Sequence, residues 1–148
     1  MKEITGNIWE QKADWICITT NGIIRNDGKA VMGRGIALQA KLKFSGIDSI
    51  LAEKLKTNGN VVSLLKTEDN QKIFSFPTKN DWRDSSLALI EKSAEQLREL
   101  FLKEEVKPVV LLPRPGCSNG GRNWEKEVKP ILEKILVEDN FVVCDFAK

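Results

Sequence analysis

Five short apolar runs, each closed by a polar or turn-forming stretch, constrain this chain more than any other feature. Ile16-Cys17-Ile18-Thr19-Thr20 lies between Asp14 and Asn21-Gly22, and Val61 to Leu65 and Ile73 to Phe76 flank Glu68-Asp69-Asn70. Val109 to Leu112 stops at Pro113, and Phe141 to Cys144 comes close to the end. Runs this short, and rich in β-branched residues, read as buried strands. None approaches the roughly 20 apolar residues that span a bilayer. Helical periods lie between them. Leu87, Ile90, Ala94, Leu97 and Phe101 recur at helical spacing and mark one face of a helix, with Asp84 or Ser85 as its cap. Gly35 to Lys43 is rich in helix formers. Trp124, Val128, Ile131, Leu132 and Ile135 mark a last segment, in which Pro130 demands either a turn before a later helix start or a bend. Strands alternating with helices, without an Asn-Gly hairpin between strands, predict an α/β fold: a three-layer α/β/α sandwich around a mixed, mostly parallel sheet. At 148 residues, with no repeat and no linker, a single domain over 1–148 is expected.

Composition then removes whole classes of chemistry. The chain has no histidine and no tyrosine, which excludes Ser-His-Asp and Cys-His catalysis, imidazole metal sites and a tyrosine acid. Acid–base work must come from Lys, Asp, Glu, Cys, bound water or the substrate. Lys and Arg number 23 against 21 Asp and Glu, a net +2, so a general nucleic-acid-coating surface is not expected, although a local basic groove stays open. Cys17, Cys117 and Cys144 are far apart, without a CxxC, which argues against a disulfide framework or thiolate metal site and fits a reducing cytoplasm. Cys17 and Cys144 sit in apolar runs and read as small core residues. The N-terminus lacks the apolar stretch of a signal peptide. A soluble, cytoplasmic, monomeric protein without metal or redox cofactor is the expectation.

Three segments place glycine, proline and polar residues just after expected strands, where ligands bind in open α/β sheets. In Asn21 to Lys41, Gly33-Arg34-Gly35 opens a helix whose N-terminal N–H groups can face a phosphate; a plain turn has the same pattern. In Gly116-Cys117-Ser118-Asn119-Gly120-Gly121, three glycines with Ser and Asn can form a nest for a diphosphate, or a flexible connection. No Gly-Lys-Ser/Thr follows, so it is not a P-loop. In Phe76-Pro77-Thr78-Lys79 with Trp82-Arg83, a strand delivers Thr78 and Lys79 to the same sheet end. A lysine is ordinarily a solvated surface group. Lys79, between an apolar strand and Trp82, is expected to be partly desolvated and suited to act as an amine nucleophile.

Together these segments resemble a macro domain, the fold that binds ADP-ribose. Gly6-Asn7-Ile8 resembles the family's opening Gly-Asp/Asn-Ile/Leu. Ala13-Asp14 and Ile16 to Asn21 resemble its Asp-Ala-Ile-Val-Asn-x-x-Asn strand, and Val31-Met32-Gly33-Arg34-Gly35-Ile36-Ala37 its Val-Met-Gly-Lys-Gly-Ile-Ala loop. Within the family, Phe76-Pro77-Thr78-Lys79, Trp82-Arg83 and Ser86 resemble the branch of DNA ADP-ribosyl glycohydrolase antitoxins and the terminal ADP-ribose protein glycohydrolase. The latter has an aspartate where Gly120 stands here, and the former a glycine. Ile18 replaces the first Asn of the strand motif, and Ser118 the middle glycine of Gly-Cys-Gly.

The resemblance implies an ADP-ribosyl glycohydrolase that releases ADP-ribose from a modified base, thymidine in single-stranded DNA, with a cognate ADP-ribosyltransferase toxin as an implied partner. It implies Lys79 and Asn21 as the catalytic pair. ADP-ribose would be bound by Asn7, Ile8, Asp14, Thr19, Thr20, Val31, Met32, Gly33, Arg34, Gly35, Ile36, Thr78, Gly116, Cys117, Ser118, Asn119, Gly120 and Gly121. Within that set Asp14 would accept from the adenine amino group, and Thr78 would hold the distal ribose. Trp82 and Arg83 are the candidates for nucleic-acid contact: the ring can stack on an unpaired base and the guanidinium can meet a phosphate. A non-catalytic ADP-ribose reader, or a hydrolase of ADP-ribose 1″-phosphate or O-acyl-ADP-ribose, are the alternative readings.

Overall fold

A computed structural model describes residues 1–146. Six strands form one sheet in the order β1-β6-β5-β2-β4-β3. They are β1 (Lys2–Thr5), β2 (Trp15–Asn21), β3 (Ser63–Glu68), β4 (Gln71–Lys79), β5 (Val110–Leu112) and β6 (Phe141–Asp145). All neighbouring pairs are parallel except β3 with β4. The helices are α1 (Gly35–Lys43), α2 (Ile47–Asn58), α3 (Leu87–Leu102) and α4 (Lys129–Ile135). The mixed, mostly parallel α/β sandwich expected from sequence is the fold observed.

Strand β2 shows why the sheet is covered on both faces. Successive side chains point to opposite sides of a strand. Trp15 and Cys17 enter one core with Phe74, Phe76, Ile90, Leu97, Val128 and Leu132, under α3 and α4. Ile16 and Ile18 enter the other with Ala37, Ala40, Ile47 and Leu51, under α1 and α2. Each large aliphatic or aromatic side chain buried this way contributes about 1.5–3 kcal/mol. Ile18, in place of the family's asparagine, is therefore a core residue.

Four details differ from the sequence reading. Edge strand β1 and helix α2 were not foreseen. The sheet contains a hairpin after all: Asp69 and Asn70 join β3 to β4, with φ of 50° and 64°. Two adjacent left-handed residues suit a two-residue hairpin turn, and Asn and Asp tolerate that region better than most. The cap of α3 is Ser86, whose hydroxyl accepts from Leu89 N–H at 3.2 Å, and not Asp84 or Ser85. Of the two alternatives for Pro130, the turn is the one observed: a five-residue π-type turn spans Trp124–Val128, with Pro130 in the first turn of α4, which follows.

Candidate functional site

The parallel strands β1, β2, β4, β5 and β6 release their chain on one edge of the sheet, and most of the expected site residues gather there. Asn21 ends β2 and Lys79 ends β4, as register partners across an irregularity: Thr20 faces Pro77, Asn21 faces Lys79, and Thr78 is passed over. A bulge of this kind twists the strand and re-aims the side chains beyond it. Asn21 Oδ1 accepts from Ile23 N–H at 3.0 Å, which fixes the side chain and leaves its NH₂ group as the donor.

The first loop leaves β2 and returns to α1 through a small bridge between Ile24 and Ala30. Met32 and Ala30 plug the core, so Gly33, Arg34 and Gly35 are held out in solvent, with Val31 and Ile36 half-buried on either side. Arg34 occupies the cap position of α1 without making a side-chain cap. The first N–H groups of this nine-residue helix therefore lack a side-chain acceptor.

In the second loop, Gly116 and Gly120 are buried, while Ser118, Asn119 and Gly121 face solvent. Residue 120 has no room for a side chain: a Cβ there would run into Ser85 Oγ and stand 2.5 Å from Gly116 O. Ser85 N–H donates to Gly120 O at 2.9 Å, and Arg122 Nε donates to Ser85 O at 2.6 Å, tying the segment after Lys79 to this loop. Ser85 was expected only as a helix cap; its role in the loop has no local sequence signal. Cys117 is half-buried, and burial pushes its thiol up to about 11, which makes it a poor nucleophile. Ser118 lies on the exposed outer part of the loop, where its Cβ obstructs nothing.

The three segments meet. Lys79 Nζ donates to Asn119 O at 3.3 Å. Asn119 Nδ2 lies 3.4 Å from where a Cβ on Gly35 would stand. Asn7 and Ile8 lie beyond the end of β1 on the same edge, joined to β6 by Gly6 N–H donating to Asp145 O at 2.8 Å. From β1 to β4 is four strand spacings, about 19 Å, the length of an extended dinucleotide-like ligand. One residue at the β1 end was missed by the sequence reading: Phe146 follows β6 beside this turn, with its ring 54% exposed.

Several expected residues are not where the expectation put them. Asp14 precedes β2 and therefore lies on the opposite, amino-terminal edge. Its carboxylate accepts from Val109 N–H at 2.8 Å, at the far end of the strand from Asn21. Asp14 is corrected to a structural residue. Thr78 is buried, and its hydroxyl donates to Thr20 O at 3.5 Å, so it packs within the sheet and does not open onto the ligand edge. Thr20 is likewise buried, with Thr19 one residue behind it in the strand. Trp82 does not cover Lys79: it is 80% exposed, with the Arg83 guanidinium 5.7 Å from its ring centre. The two form an exposed aromatic–cationic pair in the segment after the lysine, with Arg83 Nε 3.8 Å from the Asp81 carboxylate.

Among the described residues, no three or more His, Cys, Asp or Glu side chains stand together as a metal site, and no helix is long and apolar enough to cross a membrane. Two surface cavities, about 610 and 490 Å³, lie on the amino-terminal edge around Asp14.

A six-stranded mixed sheet with two glycine loops converging on its carboxyl edge defines a macro domain. No family model matches the sequence. The chain is 28% identical over 144 residues to the DNA ADP-ribosyl glycohydrolase of Thermus aquaticus, covering 92% of this chain and 38% of that protein. It is 29% identical over 105 residues to the ADP-ribose glycohydrolase OARD1 of Bos taurus, covering 71% of this chain and 66% of that one. Among solved structures, the macrodomain of Thermus aquaticus DarG superposes with a TM-score of 0.75 at 26% identity, over 99% of this chain and 97% of that chain. Thermosipho africanus DarTG in complex with ADP-ribose superposes with a TM-score of 0.79 at 21% identity, over 99% of this chain and 42% of that one. This macro domain stands close to the DarG branch. It spans well under half the length of the DarG relative it matches.

Proposed function

We propose that this chain binds ADP-ribose along the carboxyl edge of its sheet and releases it from a modified nucleobase, thymidine in single-stranded DNA, with Lys79 as the catalytic residue. The observation that carries the reading is the position of the Lys79 amine, held between the two glycine loops by Asn119 O. The diphosphate lies between Gly33–Ile36 and the helix N-terminus on one side and Gly116–Gly121 on the other, where backbone N–H groups suit an anion. Asn7, Ile8 and Phe146 receive the adenine end, with the exposed Phe146 ring as a stacking surface for the base. Asn21 NH₂ holds the distal ribose beside Lys79.

In this arrangement the Lys79 amine attacks the anomeric carbon of the distal ribose and gives up a proton. A C–N bond forms as the bond to the base breaks, and the base leaves with the electron pair and takes up a proton. Water then cleaves the enzyme–ribose bond and frees ADP-ribose. Covalent catalysis of this type divides one difficult step into two easier ones. Trp82 and Arg83 hold the strand that presents the base, by stacking and by phosphate contact. The names of the relatives support a hydrolase acting on ADP-ribose linkages. The whole domain over 1–148 acts as one unit in this reading. The modification it removes is supplied by an ADP-ribosyltransferase, and the setting is the cytoplasm.

The test is release of free ADP-ribose from a single-stranded oligonucleotide carrying ADP-ribosylated thymidine, wild type beside Lys79→Ala. Release by wild type alone is expected. Release by both proteins removes Lys79 from the mechanism. Release by neither, with ADP-ribose still bound, replaces the hydrolase with a reader.

A further inference from the structure

Three consecutive carbonyls at the end of β4 are held by donors from outside the strand. Pro77 O accepts from Ser93 Oγ at 2.7 Å, and Thr78 O from Ser86 N–H at 2.9 Å. Both donors belong to α3 or its cap. Lys79 O accepts from Asn60 Nδ2 at 2.8 Å, and Asn60 lies 19 residues earlier, between α2 and β3. The same amide donates its second hydrogen to Asn80 Oδ1 at 3.0 Å. These bonds fall where the register between β2 and β4 breaks. There the Lys79 carbonyl is held by the Asn60 side chain.

Asn60 also touches the strand that carries Asn21. A Cβ at Gly22 would stand 3.1 Å from Asn60 Nδ2 and 2.9 Å from Asn80 O, so Gly22 lets the amide lie against the end of β2. The orientation of the amide is fixed chemically. A backbone carbonyl only accepts, so the nitrogen must face Lys79 O. The oxygen is then left over: Asn60 Oδ1 is buried without a partner. A residue placed for stability alone would not strand one half of its amide. The feature makes sense if the donor half is what the position requires.

We infer that Asn60 is the positioning residue for Lys79: its amide sets the peptide from which the lysine reaches the distal ribose and holds that peptide against the end of β2. This rests on the reading of Lys79 as the residue that meets the ribose. Asn60 touches no ligand atom itself. Removing it frees the Lys79 peptide while the α3 donors still hold residues 77 and 78, and the two glycine loops keep their own ties.

Asn60→Ala and the isosteric Asn60→Asp, which loses both donors, are compared with wild type in two assays. In turnover of the oligonucleotide, kcat is expected to fall on the order of 10- to 100-fold, the scale of a displacement of about 1 Å. KM and the Kd for ADP-ribose stay within about twofold because the cradle is intact. Asn80→Ala keeps the bond to Lys79 O and stays within about twofold of wild type. The second assay needs no turnover. Free ADP-ribose is incubated with cyanoborohydride; its ring-opened aldehyde carbon bonds to the Lys79 nitrogen with loss of water, and hydride from the reductant converts the imine to a stable secondary amine. Mass spectrometry counts the label at Lys79.

Wild type is expected to label there, and both Asn60 variants about tenfold more slowly or worse. Labelling by wild type without any turnover overturns the glycohydrolase reading alone and leaves Asn60 to be judged by the labelling rates. Equal labelling in wild type and variants overturns the inference. A loss of ADP-ribose affinity that matches the loss of rate also overturns it, as does an absence of label at Lys79 in every protein.

Discussion

The two edges of the sheet are built in opposite ways. The amino edge has two open cavities, about 610 and 490 Å³, and several of its polar side chains are spent on backbone groups. Asp14 holds Val109 N–H, Gln71 Nε2 donates to Ala13 O, and Asn140 Nδ2 donates to Pro108 O. The carboxyl edge has both glycine loops. It also holds every buried side-chain polar atom without a partner found among the described residues: Thr20 Oγ1, Asn60 Oδ1, Ser85 Oγ and Arg114 Nε. Thr20 ends β2 with Asn21, Asn60 binds the Lys79 peptide, Ser85 lies behind Gly120, and Arg114 opens the second loop. Each such atom costs about 1–3 kcal/mol. Proteins tolerate local conflicts of that kind mainly where function demands the geometry. The unpaired polar atoms therefore fall on the edge where the proposed site lies.

The largest effect should come from exchanging the fates of one residue on each edge. Lys79→Ala is expected to lower turnover by about 10³-fold or more, the scale of a lost catalytic group, while leaving the midpoint of thermal unfolding nearly unchanged. Asp14→Ala should do the reverse. Val109 N–H loses its acceptor, stability falls by about 1 kcal/mol, and turnover stays within about twofold. Unfolding curves and initial rates on the two variants decide the matter. A collapse of activity in Asp14→Ala would return the amino edge to the site.

Gly120→Ala comes next. The added methyl meets Ser85 Oγ and Gly116 O, so one side or the other must shift. Overpacking of this kind costs about 1–3 kcal/mol, and the second loop should lose at least about tenfold in ADP-ribose affinity. The cycle is closed with Ser85→Gly, which removes the obstructing side chain. Recovery in the double variant, measured by calorimetry, ties the glycine to Ser85. Strict additivity would mean that the backbone of Gly116 alone excludes the side chain.

The same contrast explains what could be read in advance. Five strands were legible because Ile, Val and Phe cluster in short runs with turn residues at their ends. Edge strand β1 was not, since its four residues hold one apolar side chain, Ile4. The β3–β4 hairpin was hidden because its turn is Asp69-Asn70, without the glycine that usually announces it. The glycine loops and Lys79 were visible as polar clusters after strands. Asp14 was misplaced for a simple reason: a residue just before a strand lies a full strand length from one just after it. Phe146, Ser85 and Asn60 act through contacts between segments far apart in the chain, and no local pattern encodes those.

A smaller effect separates the second loop's shape from its sulfur. Cys117 lies within the loop, but burial raises its thiol to about 11, with Arg114 pulling the other way. At pH 7.5 almost none of it is thiolate. Iodoacetamide should leave Cys117 unlabelled over an hour at that pH, and Cys117→Ser should keep turnover within about twofold. Rapid labelling together with loss of activity would move the nucleophile from Lys79 to this loop.

The smallest effect lies on the flank of the carboxyl edge, where the charges are paired. Glu3 on β1 accepts from Trp124 Nε1 at 2.9 Å and pairs with Lys129 at 2.8 Å and Arg114 at 3.9 Å. The hydrogen bond from Lys129 holds the Glu3 carboxyl below its ordinary value; burial opposes it, and the Trp124 bond and the two cations add to the lowering. A lowered folded value means that this stabilisation is complete above the unfolded value of about 4.5 and disappears as pH falls through the folded one. The Lys129 ammonium is raised by the same bond, so its share is complete at neutral pH and is lost as pH climbs through its raised value. Glu3→Gln should therefore lower Tm by about 2 °C near pH 7, the scale of a partly exposed pair. The gap to wild type should narrow as pH falls below 4.5 toward the lowered carboxyl value, and narrow again as pH rises beyond 10.5 toward the raised ammonium value. Scanning Tm against pH for both proteins tests this. ADP-ribose affinity is expected to stay within about twofold, because Gly116–Gly121 is held by Ser85 and Arg122 and not by this network. A flat difference across pH would show that Glu3 acts through packing, and a parallel loss of affinity would extend the working edge outward to β1.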